Sequence, residues 1–127
     1  MKPKELQEFR MLNRVFEENC DRVAKILRGR EFEKDTHDIT YANEFHLEGD
    51  EVSWSGDEYW NYGGHEYHSG SFPVEYLVMD DEELRKIVEE ENREYREAVE
   101  KNKEERRKRE KSERLELYEK LKKEFDQ

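Results

Sequence analysis

Apolar residues recur at steps of three and four between Pro3 and Arg28: Leu6, Phe9, Leu12, Phe16, Cys20, Val23 and Leu27. That spacing places them on one stripe of a helix with Lys, Arg and Glu opposite, and it predicts that the whole stripe packs into a core. Gly29 stands just beyond the last apolar position as a stop. The period then falls to two. Ile39, Tyr41, Asn43, Phe45 and Leu47 alternate with Thr40, Ala42, Glu44 and His46, which predicts a half-buried strand over residues 38–47. Glu48-Gly49-Asp50 reads as a turn, and Val52 and Trp54 open a second strand over 51–59, with Gly56 as a bulge or the strand's end. Asn61-Tyr62-Gly63-Gly64 is the next connection and residues 65–72 the third strand, closed by Pro73, which cannot donate to a ladder. The three strands form an antiparallel meander.

A second helix follows. Asp80 is an N-cap with Glu83 in capping-box position, and neither Gly nor Pro interrupts the chain afterwards. Its first part is amphipathic through Leu84, Ile87, Val88, Tyr95, Ala98 and Val99. Residues 101–114 carry no apolar side chain, and a short patch returns with Leu115, Leu117, Tyr118, Leu121 and Phe125. Two empty heptads argue against a continuous coiled coil. Either a solvated helix carries the last patch outward or the chain bends back near 101–114. The fold class expected is α+β: a helix over about 3–28, the meander, and a long C-terminal helix. Residues 1–80 would form a compact domain and 81–127 a long charged helix.

Composition narrows the functions open to such a fold. Of 127 residues, 32 % are hydrophobic and 46 % charged, against roughly 45–50 % and 25 % in ordinary domains. Little apolar material is left to enclose a catalytic cleft. No run of 18 apolar residues or signal-type segment is present, and a single Cys20 fits a reducing, cytoplasmic setting. The net charge of −11 is unevenly distributed: residues 31–80 hold −12 and ten of the 15 aromatics. A field of that sign repels nucleic acid and attracts basic surfaces.

Candidate chemistry is sparse. His65 and His68 lie three apart in a strand, so they point to opposite faces and cannot easily share a metal ion. His37, His46 and Cys20 would have to join them from elsewhere, without a Cys-x-x-Cys or His-Glu-x-x-His pattern. No metal or other cofactor is expected. Ser53, Ser55, Ser69 and Ser71 lie near histidines but on short strands that give a nucleophile little shelter, and no phosphate-binding glycine loop occurs. The chain reads as a non-enzyme. Residues 101–114 are basic, yet acids interleave at helical spacing, as Glu104 with Lys108 and Glu105 with Arg109, which favours pairing within the helix over nucleic-acid contact.

The densest feature is Trp54-Ser-Gly-Asp-Glu-Tyr-Trp-Asn-Tyr-Gly-Gly-His-Glu-Tyr-His, residues 54–68. Two helices can cover one face of a three-stranded sheet. Ile39, Tyr41, Phe45 and Leu47 supply that face, which leaves aromatics of this segment for the other. Exposed aromatics within a rim of charge are the usual anchors of binding surfaces. The expected partner-binding set is Trp54, Asp57, Glu58, Tyr59, Trp60, Tyr62, Glu66 and Tyr67. The alternative for these aromatics is packing beneath the long helix.

Residues 58–77, Glu-Tyr-Trp-Asn-Tyr-Gly-Gly-His-Glu-Tyr-His-Ser-Gly-Ser-Phe-Pro-Val-Glu-Tyr-Leu, resemble a segment of small phage and prophage proteins, marked by the Tyr-Gly-Gly turn and the following Phe-Pro. The resemblance brings no activity with it. The wider profile, small, acidic and poor in catalytic motifs, is similar to phage anti-defence proteins such as anti-CRISPR inhibitors. That likeness implies a DNA mimic that sets carboxylates against the nucleic-acid groove of a host effector in the host cytoplasm. Two other functions stay open: a nucleotide-like ligand stacked on Trp60 and Tyr62 over the Gly63-Gly64 backbone, and an assembly protein that oligomerises through residues 81–127.

Overall fold

A computed structural model describes residues 1–32 and 38–126. The chain is α+β. Helix α1 (Pro3–Leu27) is followed by a 3-10 turn (Ile39–Tyr41), the strands β1 (Glu44–Glu48), β2 (Glu51–Tyr59) and β3 (His65–Pro73), a second 3-10 turn (Val74–Val78) and helix α2 (Asp81–Phe125). The sheet is antiparallel in the order β1-β2-β3. His37, weighed above as a metal ligand, lies outside the described residues.

Local chemistry accounts for each boundary. Pro3 begins α1, where its missing N–H costs no hydrogen bond. The helix ends where Gly29 N–H and Arg30 N–H turn back to the carbonyls of Ile26 and Leu27. Asp80 caps α2, its Oδ1 accepting from Glu83 N–H at 2.8 Å. Gly49, at φ +60°, makes the two-residue turn between β1 and β2, a conformation that favours glycine.

The first strand is shorter than the alternation suggests. Residues 39–41 form a 3-10 turn, because Asp38 Oδ1 accepts from Thr40 N–H at 3.0 Å and caps it. This turn passes directly over β2. A Cβ on Gly56 would stand 1.7 Å from the Tyr41 carbonyl oxygen. Gly56 is therefore neither a bulge nor a strand end: it lies in register opposite His68 and lets the chain cross the sheet closely.

The core joins Cys20, Val23, Ala24 and Leu27 of α1 to Ile39, Ala42, Val52, Trp54 and Phe72, with Leu84 and Val88 of α2 closing it. The α1 stripe is only half used. Leu6, Phe9 and Leu12 are exposed, since the short strands and the turns around them pack along Phe16–Leu27 and reach no further. Leu47, expected inside, is also exposed near the β1–β2 turn. The compact unit runs through Asn92 rather than ending at residue 80. Besides Leu84 and Val88, Asn92 ties the start of α2 to the end of α1: its Nδ2 donates to the Gly29 carbonyl at 3.0 Å and its Oδ1 accepts from Glu31 N–H at 2.8 Å. Arg22 adds an ion pair to Asp81 at 2.7 Å.

Residues 93–127 form a second unit. Its helix continues unbroken through the charged stretch 101–114, and Leu115, Leu117, Tyr118, Leu121 and Phe125 are all exposed. Among the described residues no helix is long and apolar enough to cross a membrane.

Candidate functional site

Strand parity divides the 54–68 segment between the two faces of the sheet. Even-numbered residues of β2 and β3 face the core: Val52, Trp54, Gly56 and Glu58, with Glu66, His68 and Phe72 beside them. Odd-numbered residues face away. On that open face Ser53 lies between His46 and Ser71, and Ser55 between Glu44 and Ser69. Asp57 is opposite Tyr67 and Tyr59 opposite His65. The result is a low floor of serines, with Tyr59, Tyr67 and His65 standing at one end and Glu44, Glu48, Glu51 and Asp57 around it.

The expected binding set therefore does not form one surface. Trp54 leaves it altogether, being buried against the core, because its parity matches Val52 and not Ser53. Tyr59 and Tyr67 are 75 % and 57 % exposed on the open face, and Tyr59 tilts against His65 with ring centroids 5.9 Å apart. Asp57 accompanies them, partly covered. Trp60 and Tyr62 belong to the β2–β3 connection. Trp60 N–H donates to the Gly64 carbonyl at 2.9 Å, and Gly63 adopts φ +82°. The Trp60 ring rests on Gly64, where an added Cβ would meet it at 2.7 Å. Tyr62 at the tip is fully exposed.

Glu58 and Glu66 fall on the other face, at the edge of the core. Between them stands His68, whose side chain is only 7 % exposed. Its Nε2 is 3.0 Å from a Glu58 oxygen and 4.0 Å from one of Glu66. The Tyr41 ring stacks on the imidazole at 4.9 Å and 16° and fixes its plane. His65 and His68 do point to opposite faces, as their spacing requires, and His68 meets Glu58 and Glu66 instead of another histidine. The signal was available: Glu66 and His68 are two apart in one strand, and Glu58 lies opposite Glu66.

Cys20 takes no part in either group. Burial, then the nearby carboxylates of Asp21 and Glu17, push its thiol up to about 11. It stays a protonated core residue, unsuited to nucleophilic attack or metal ligation.

No protein-family model matches this chain, and no curated protein or solved structure matches it.

Proposed function

We propose that the chain is a non-enzymatic binding protein whose open sheet face docks on a basic protein surface. One observation carries this reading: Tyr59, Tyr67 and Tyr62 are exposed together at one end of the open face and its adjoining turn, while the carboxylates on that face have no Lys or Arg partner among the described residues. Aromatics of this kind bury large area at small entropic cost, and uncompensated carboxylates speed encounter with a cationic partner. The partner class is the nucleic-acid groove of a host effector, which makes the chain an anti-defence inhibitor working in the host cytoplasm. Asp57 supplies charge beside Tyr59 and Tyr67; Trp60 shapes the turn that presents Tyr62.

The nucleotide-stacking alternative has less support, since one side of the Trp60 ring is already against Gly64 and is not free to stack. Affinity capture from a bacterial lysate at low salt tests the proposal. A basic protein retained by the wild type should be lost from the double variant Tyr59→Ala/Tyr67→Ala and from the wild type at high salt. Capture of the same proteins by both chains would refute it.

A further inference from the structure

We infer that Glu58, Glu66 and His68 form a site for one divalent transition-metal ion, of which zinc is the natural probe. The three residues lie on the core side of the hairpin, away from the proposed docking face, so the inference stands independently of it. Their ligand atoms, two carboxylate oxygens and one imidazole nitrogen, all lie within 4.8 Å of one another. Ligands around a tetrahedral zinc, each about 2.0–2.2 Å from the ion, are roughly 3.3 Å apart. The separations of 3.0 and 4.0 Å from His68 Nε2 bracket that value. Glu66 is half-exposed, so its side chain is not locked by packing.

Two further features distinguish this group from an ordinary histidine–glutamate hydrogen bond. Glu58 and Glu66 are direct cross-strand partners, a placement that is unfavourable for like charges. Neither has a Lys or Arg partner among the described residues. The single Nε2 of His68 bonds one of the two carboxylates and leaves the other beyond hydrogen-bond distance. The imidazole is also committed to this spot. It is nine-tenths buried, Tyr41 sets its plane, and its Nε2 faces the two glutamates. A dication balances both carboxylates at once. Two oxygens and one nitrogen suit zinc and its first-row neighbours, whereas magnesium takes oxygen donors.

Calorimetric titration of the EDTA-treated full chain with zinc chloride tests the site. Binding should saturate at one equivalent, with excess magnesium unable to compete. Glu58→Gln and Glu66→Gln should each weaken it at least about tenfold, the lower end of what disturbing a metal site costs. Asp57→Asn and His65→Gln, on the opposite face, should bind as the wild type does. At the same zinc concentration the melting temperature of the wild type should also rise more than that of Glu66→Gln, which separates weakening of the site from loss of the fold. Absence of saturable binding, wild-type affinity in both glutamate variants, equal loss in His65→Gln, or displacement of zinc by magnesium would each overturn the assignment.

Discussion

The two faces of the β2–β3 hairpin are drawn from alternate residues of one stretch of chain, yet they have different characters. The core side carries Val52, Trp54 and Phe72, a glycine whose side-chain position the Tyr41 carbonyl occupies, and a buried histidine against a stacked ring. The open side carries serines, two exposed tyrosines and acids without a Lys or Arg partner among the described residues. Both sides contain aromatics and carboxylates in similar proportion. Residue type alone does not separate anchor from core here; parity does. A one-residue slip would exchange the two sets, so the Gly56 crossing that excludes any side chain at that position also holds the open face in place.

Substitutions at neighbouring positions should behave differently according to face. Trp54→Ala is expected to cost about 3–5 kcal/mol of stability, as large-to-small changes in packed cores do, and Gly56→Ala about 3 kcal/mol or more because the Tyr41 backbone must move. Denaturant unfolding of the two variants measures both. Stability near wild type in either would mean that the core side is looser than the contacts indicate.

The same contrast occurs along α1. Leu27→Ala should lose about 2–5 kcal/mol by the same unfolding assay, whereas Leu12→Ala, exposed on the same stripe, should stay within about 0.5 kcal/mol. A large loss at Leu12 would show that the first half of α1 is covered in solution.

On the open side the effect moves from stability to binding. Tyr59→Ala and Tyr67→Ala should melt within a few degrees of wild type while each weakens the partner by about 2 kcal/mol, some thirtyfold. Surface plasmon resonance and calorimetric melting of the same preparations keep the two quantities apart. Asp57→Lys should have the smallest effect at equilibrium. Its signature is a slower association rate and a flatter dependence of that rate on salt.

Much of this was legible in the chain. The switch of period from three-and-four to two marked the helix-to-sheet change, and Asp80 with Glu83 marked the start of α2, because each of those signals is local. The alternation through residues 39–47 misled in its first half, since Asp38 caps a 3-10 turn that the apolar pattern does not reveal. The α1 stripe overstated the core, because periodicity records which face is apolar and not how far the rest of the protein extends along it. The site was half legible. Tyr59, Tyr62 and Tyr67 are exposed, but Trp54 needed the register of β2 against β3 to place it inside. The Glu58–His68–Glu66 group depends on cross-strand register and on Tyr41, and neither is a local property.

Hydroxyl-radical footprinting of the chain alone and in complex with any basic protein captured as proposed tests the central claim most directly. Tyr59, Tyr62 and Tyr67 should label freely in isolation and lose most of their label in the complex, while Trp54 stays unlabelled in both. Protection of Phe9, Met11 and Leu12 on α1, or of Tyr118 on α2, with Tyr59 and Tyr67 still fully labelled, would contradict the account and place the docking surface on the helices.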